Sequence, residues 1–264
     1  MTTQTTKQAG YHLLGFSTRY SSWTARVEIL LEYYQIPYDK TFVKLSEVKS
    51  RSPTGLVPVL TPTSLSPNAH IGDSLAICEF LAESHPELPL WPKDRYLRAL
   101  ARSAVAQMHS GFTAIRNTYH TNFIGRYVGD IPFSKEAADD IERVLAVWGD
   151  ARKKTAERLK ELGQEGEDDR FLFGKFGIAD AFFWPMLWRF RTYDFPVATA
   201  TPEAVAWMKK MWNDPCVKRL ISDYFRQAED PETFTAKYEN IFKDTRPDIE
   251  YKAFTEDWQF GEHK

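Results

Sequence analysis

Three short runs of this chain hold the residues best suited to chemistry. From Ser17 to Arg26, in STRYSSWTAR, hydroxyls fall where an apolar run ends and an amphipathic one begins. Amides at a helix N-terminus favour an anion by up to roughly 1 kcal/mol when exposed, and a thiolate held there has a lowered pKa. Ser21 or Ser22 can donate to such a sulfur; either can equally serve only as the helix cap. The second run is LVPVL (56–60), where Pro58 interrupts what otherwise reads as a central strand and removes a ladder donor. A cis Val57–Pro58 bond at a strand start would turn the main chain of Val57 towards an extended, peptide-like ligand, whereas an edge strand would tolerate Pro58 with no ligand. The third run is IGDSL (71–75). Ser74 at a helix N-terminus can hold a carboxylate and Asp73 can accept from an ammonium, which together suit an α-amino acid group; as a plain cap the pair needs no ligand.

These runs must be positioned by regular elements, and the patterns supply them. YHLLGFS (11–17) reads as a strand, TARVEILLEYYQ (24–35) as an amphipathic helix and PYDKTFVKL (37–45) as a second strand, which begins a βαβ unit. A turn at SPTG (52–55), the run LVPVLT (56–61) and a Pro/Ser/Asn-rich turn to Asn68 fit a hairpin, and Asp73 or Ser74 starts the helix SLAICEFLAESH. HPELPLWPKD (85–94) carries three prolines in ten residues, which blocks a regular helix and marks a linker. Beyond it the period is helical, over about 95–121, 134–163, 178–192, 201–212 and 214–228, with no convincing strand. The division is therefore a polar N-terminal extension 1–10, an α/β unit 11–85, a linker 86–94, an all-α bundle 95–228 and an acidic extension 229–264 without sustained period, expected to wrap the surface or partly order.

Composition excludes several alternatives. The 264 residues carry 34 Lys and Arg against 36 Asp and Glu, a net charge of −2, so no nucleic-acid or polybasic membrane surface is indicated. Residues 229–264 hold ten acids against five bases. No run approaches the roughly 20 apolar residues of a membrane span, and the polar opening MTTQTTKQAG lacks the form of a signal peptide, so a cytoplasmic location is expected. Cys78 and Cys216 form no C-x-x-C pair, so thiol chemistry must come from a ligand. The histidines show no H-x-x-x-H or H-x-x-E spacing, so no metal is expected; GKFG is too short for a phosphate loop, and no G-x-S-x-G elbow is present.

The order of hydroxyl loop, Arg-led helix, Val-Pro, DSLAICEFL, linker and helical domain resembles the cytosolic glutathione transferases over about residues 11–228. YSSWTARV is similar to the S-S-x-x-x-R-V segment of the zeta class, and FLFGKFGIADAFFWPMLWRFRTY to the F-L-F-G-x-F-S-x-A-D-A segment of zeta-like bacterial and fungal members. The resemblance implies a thioredoxin-like N-terminal domain, an all-α C-terminal domain and a homodimer. It also implies that glutathione is the co-substrate, with Val57 beside cis-Pro58 pairing its cysteinyl part and with Asp73 and Ser74 holding its γ-glutamyl end. Asp73 replaces the more usual Glu or Gln, and Leu56 replaces the Lys, His or Gln that often precedes Val-Pro. By distance before Arg26, Ser21 matches the zeta-class serine, Ser22 the theta and delta spacing and Tyr20 the tyrosine classes; the order of expectation is Ser21, Ser22, Tyr20. Trp23 stands where the zeta class has cysteine, and is expected to wall the site near the sulfur.

A co-substrate pocket is expected between the domains. Met108, Phe112, Ile115, Arg116 and Tyr119 share a helix at spacings of four, three, one and three; the apolar members also suit a core, and Arg116 on that face suits a carboxylate or phenolate. Arg189 and Arg191 are similar candidates, for which salt bridging within the bundle is the competing role. Gly177 stands where Ser or Thr usually caps the sixth helix, and Asp180 three residues on reads as half of a capping box. The resulting expectation is a transferase in which a serine activates the glutathione thiol against a small electrophile. The alternatives are a zeta-type cis-trans isomerase and a non-catalytic ligand-binding protein of the same fold.

Overall fold

A computed structural model describes residues 10–65, 69–255 and 257–260. Most of the expected N-terminal extension, part of the turn that runs to Asn68, and the last four residues lie outside them. In the first unit, β1 (Tyr11–Phe16), α1 (Ser22–Tyr33), β2 (Tyr38–Val43), a short α2 (Val48–Arg51), β3 (Val59–Pro62), β4 (Ile71–Gly72) and α3 (Ser74–Ser84) follow in order. They form a four-stranded sheet of order β2-β1-β3-β4, with β1 and β2 parallel and the other pairs antiparallel. Alternation of buried positions along β1 places Leu13 in the core.

The second unit is helical: α4 (Arg95–Ser110), α5 (Thr113–Thr118), α6 (Lys135–Glu161), α7 (Ile178–Thr192), α8 (Pro202–Asn213) and α9 (Pro215–Glu229). Every residue of α7 is buried, Asp180, Arg189 and Arg191 included, so this helix forms the bundle axis. It packs on α1, where the Trp184 indole N–H donates to the Ala25 carbonyl at 3.2 Å. Glu28 of α1, fully buried, accepts from Lys40 at 2.9 Å and from the Tyr224 hydroxyl of α9 at 2.8 Å. At the start of α7, Asp180 completes the expected box: its carboxylate accepts from the Gly177 amide at 3.1 Å, the Leu172 amide at 2.9 Å and the Trp207 indole at 2.8 Å.

Two features depart from the helical pattern. The helix expected over 95–121 breaks at Gly111 and Phe112, the latter left-handed with φ 55°. A Cβ at position 111 would stand 2.7 Å from the Gln107 carbonyl oxygen, so the tight exit requires glycine. A short strand β5 (Gly125–Val128) pairs antiparallel with β6 (Glu250–Ala253) of the C-terminal segment. That segment, with α10 (Ala236–Glu239), lies over the helical unit, and Glu239 accepts from Tyr20 and, at 2.7 Å, from Tyr251.

Candidate functional site

The sheet register gathers the candidates at one edge. Phe16 of β1 faces Val43 of β2, Leu14 pairs with Val59 of β3, and Val59 with Gly72 of β4. The residues just beyond these pairs, Ser17, Lys44, Pro58 and Asp73, therefore stand along the C-terminal edge of β1. Past that edge the loop from Ser17 to Tyr20 leads into α1.

At the start of α1, Ser21 is the N-cap: its oxygen accepts from the Thr24 amide at 3.2 Å, and its hydroxyl lies 2.9 Å from Thr24 Oγ1. The hydroxyl of Ser22, the first helical residue, has no hydrogen-bond partner among the described residues, and the amides of Ser22 and Trp23 have no acceptor. Two free amides and a free hydroxyl at a helix N-terminus make a site for a small anion. Tyr20 is differently placed. Its hydroxyl donates to Glu239, and burial, followed by that carboxylate, pushes the phenol well above its ordinary pKa.

The Val57–Pro58 bond is cis, and neither main-chain group of Val57 makes a hydrogen bond among the described residues. One strand over, Asp73 caps α3 with φ 67°. A non-glycine residue held there costs on the order of 1–3 kcal/mol, and such residues cluster at functional sites. Its Oδ1 accepts from the Leu75 and Ala76 amides at 2.8 and 3.3 Å, and its Oδ2 lies 3.3 Å from Nε2 of His109 on α4. Ser74 is 1% exposed and its buried hydroxyl has no partner among the described residues.

Behind these residues lies a cationic layer. The fully buried Arg26 guanidinium sits 4.5 Å from the Trp23 ring centre and 4.6 Å from that of Phe182, and its Nε and one terminal nitrogen have no acceptor among the described residues. Burial, then Arg116 and Arg189, push its pKa down to about 9. Arg116 lies 4.8 Å over Trp23 and donates to the carbonyls of Met108, His109 and Gly111, which the end of α4 leaves unpaired. Met108, Phe112, Ile115 and Tyr119 do not share one helical face, because the chain breaks at Gly111. All four are core residues, and none lines the large groove described below. Arg189 donates to the carbonyls of Tyr119 and Pro185, and Arg191 to those of Gly125 and Phe123, so both tie the bundle together. Cys78 and Cys216 are buried thiols whose pKa values burial raises.

The groove, of about 1110 Å³, opens at the same sheet edge on the side of β2. Phe16, Ser17, Phe42 and Lys44 form one wall, and Gln227 and Phe234, from α9 and the segment after it, form the other. An ion pair between Lys44 and Glu232 bridges its walls, and Phe234 is 55% exposed at its rim. The second wall comes from the C-terminal extension expected to lie over the surface, but Phe234 itself lies in a stretch without periodicity, where no pattern singles it out. No group of three or more His, Cys, Asp or Glu that could hold a metal is found among the described residues, and no helix there is long and apolar enough to cross a membrane.

Two family models match the chain: glutathione S-transferase, N-terminal domain, over residues 20–84, and glutathione S-transferase, C-terminal domain, over residues 132–210. A maleylacetoacetate isomerase of Dictyostelium discoideum is 36% identical over 120 residues, covering 42% of this chain and 55% of that protein, so the match spans about half the length of that relative. A pyrimidodiazepine synthase of Drosophila melanogaster is 25% identical over 226 residues, covering 81% and 82%. Among solved structures, a glutathione transferase homologue from Burkholderia GL BGR1 with bound glutathione superposes with a TM-score of 0.56 at 23% identity, over 82% of this chain and 98% of that one.

Proposed function

Because the chain belongs to the glutathione S-transferase family, we propose that the sheet-edge cleft binds glutathione and presents its thiol, at the N-terminus of α1, to a small electrophile lodged in the adjoining groove. The observation that carries this reading is the set of unsatisfied groups along one edge. Among the described residues the buried Ser74 hydroxyl has no partner, the Val57 main chain is unpaired, and two amides and the Ser22 hydroxyl stand free. A buried polar group is normally paired, which marks Ser74, whereas Ser22, Trp23 and Val57 are half-buried; the groups suit a γ-glutamyl carboxylate, an extended cysteinyl backbone and a sulfur anion in turn. The residues therefore fit glutathione, which supplies the nucleophilic sulfur.

The chain's own part is binding, orientation and charge. The Ser74 hydroxyl and amide hold the carboxylate, since Asp73 already caps the Leu75 and Ala76 amides. Asp73 offers an acceptor for the ammonium, shared with His109. Val57 aligns the peptide. The Ser22 hydroxyl and the amides of Ser22 and Trp23 stabilise the thiolate, and Ser21 sets their direction as the cap; it takes over the donor role only if the Thr24 hydroxyl turns to donate to it. A free thiol has a pKa of about 8.5, so lowering it raises the reactive fraction by little more than one power of ten at neutral pH. Proximity to the electrophile supplies the larger share.

A second reading is favoured by the isomerase name of the Dictyostelium relative and by the Ser21–Ser22 pair: glutathione adds to an unsaturated acid and is eliminated again. Assays with 1-chloro-2,4-dinitrobenzene and with maleyl ketoacids separate the two, since isomerisation consumes no glutathione. Stoichiometric loss of glutathione supports transfer; cis-trans conversion at constant glutathione replaces it with isomerisation; inactivity with both classes contradicts both. Association of two copies is part of the same proposal and is read by sedimentation.

A further inference from the structure

The loop that leads into α1 is held from far along the chain. Four residues, Ser17 to Tyr20, separate the end of β1 from the cap at Ser21, and all four are buried. They form two overlapping turns, in which the Tyr20 amide donates to the Ser17 carbonyl at 3.1 Å and the Ser21 amide to that of Thr18 at 3.0 Å. Two turn bonds shape the loop; its side-chain contacts decide where it points.

Those contacts come from the C-terminal part of the chain. Gln227, near the end of α9, accepts from the Ser17 hydroxyl and the Arg19 amide, both at 3.4 Å. Glu239, the last residue of α10, gives one carboxylate oxygen to the Tyr20 hydroxyl and, at 3.5 Å, to the Arg19 guanidinium. Its other oxygen accepts from the Tyr251 hydroxyl at 2.7 Å. The main chain of Glu239 is itself anchored, because its carbonyl accepts from the Asn122 amide group and the Tyr127 hydroxyl, each at 3.3 Å. Arg19 lies 4.3 Å over the Tyr20 ring, which packs against Phe16 and Tyr238 at centroid distances of 6.2 and 6.1 Å. Hydrogen bonds to a carboxylate are about twice as strong as neutral ones, so Glu239 is a fixed post for the loop. Tyr20 stands one residue before the cap and two before the free Ser22 hydroxyl. Whatever fixes its ring fixes the direction of the first turn of α1, and a misplacement of about 1 Å remote from the chemistry can cost on the order of 100-fold in rate.

We propose, on the reading that this site holds the glutathione thiol, that Glu239 is a positioning residue. Acting through Tyr20 and Arg19, it holds the first turn of α1 where the Ser22 hydroxyl and the amides of Ser22 and Trp23 meet the sulfur. The C-terminal segment thereby takes part in thiol activation from a distance, and the Tyr20 hydroxyl is committed to Glu239 instead of to the sulfur.

The test is the ultraviolet titration of bound glutathione on the full chain in Tyr20→Phe, Glu239→Gln and Tyr251→Phe, beside amide hydrogen exchange without ligand. Tyr20→Phe keeps the ring and removes only the bond to Glu239. It is expected to raise the pH of half-ionisation of the bound thiol by about half a unit, as losing part of a helix N-terminal field would. Glu239→Gln is expected to shift it the same way, whereas removing a nearby negative charge would by itself shift it down. Tyr251→Phe, which loosens the segment and leaves the Tyr20 bond, is expected to leave the titration unchanged. Without glutathione, the Tyr20 and Ser21 amides are expected to exchange about tenfold faster in Tyr20→Phe and Glu239→Gln, and those of β1 at the wild-type rate. If Glu239→Gln fails to fold, Tyr20→Phe carries the test. An unshifted titration in Tyr20→Phe, a downward shift in Glu239→Gln or an equal shift in Tyr251→Phe would overturn the proposal. A wild type that never ionises the thiol contradicts the glutathione reading instead; the exchange rates then decide whether Glu239 holds the loop, and rates equal to wild type overturn that as well.

Discussion

His109 Nε2 lies 3.3 Å from Asp73 Oδ2, joining the fourth helix to the N-terminal cap of the third across the two halves of the molecule. Asp73 thereby meets an imidazole where the bound co-substrate would place an ammonium. The other ring nitrogen, Nδ1, is buried without a partner among the described residues, which fits a neutral ring donating through Nε2.

Burial lowers the His109 pKa, with Asp73 opposing and Arg26 and Arg116 adding to the effect. A base whose folded pKa lies below its unfolded value of about 6.5 binds fewer protons when folded, so its contribution to stability is present above that pH and lost as pH falls through the folded value. Thermal unfolding of the wild type is therefore expected to fall on acidification from pH 7 to 5 more steeply than that of His109→Gln. Identical slopes would remove His109 as a source of the acid sensitivity.

The two serines are expected to fail differently. Ser21→Ala removes the cap of the first helix, with an expected loss of about 1 kcal/mol and a fall in Tm of roughly 2–4 °C. Ser22→Ala leaves Tm unchanged and weakens ionisation of bound thiol. If Ser21→Ala instead loses ionisation while Ser22→Ala keeps it, the donor assignment moves to Ser21.

Glu239 accepts from Tyr20 and Tyr251 and lies 3.5 Å from the Arg19 guanidinium. In Glu239→Ala the buried Tyr20 hydroxyl and Arg19 lose this acceptor, which is expected to cost on the order of 1–3 kcal/mol. Limited trypsin digestion should then cut after Lys237 faster than in the wild type. An unchanged digestion pattern would show that the strand pairing of Gly125–Val128 with Glu250–Ala253 holds the segment without Glu239.

Asp180 satisfies three donors at the start of the bundle's axial helix. Asp180→Ala strands the buried Leu172 and Gly177 amides and the Trp207 indole, and is expected to destabilise the fold by on the order of 3 kcal/mol. Chemical denaturation measures this. A loss within error of zero would refute the structural role.

Much of the fold was legible because its period is local. The alternation of Tyr11–Phe16, the helical spacing of Ser22–Tyr33 and the prolines of 85–94 each declare themselves within a short window. The glutathione-site candidates were legible as motifs, since STRYSSWTAR, Val-Pro and DSL each occupy a few consecutive residues. What the chain hid was long-range. The strand Gly125–Val128 exists only because Glu250–Ala253 reaches it, and neither run alternates strongly enough to be read alone. The helix break at Gly111 depends on a close approach to the Gln107 carbonyl, and the partner of Asp73 depends on where the fourth helix ends. For the same reason Arg116, read as a substrate cation, is found ending that helix through three carbonyls.

The most direct test of the central claim, that the N-terminus of the first helix holds an ionised thiol, is the ultraviolet difference spectrum of the protein with glutathione between pH 5 and 9. The account predicts a thiolate band that appears well below the pH of about 8.5 at which free thiols ionise and that weakens in Ser22→Ala. Saturable binding with no thiolate below that pH would contradict it.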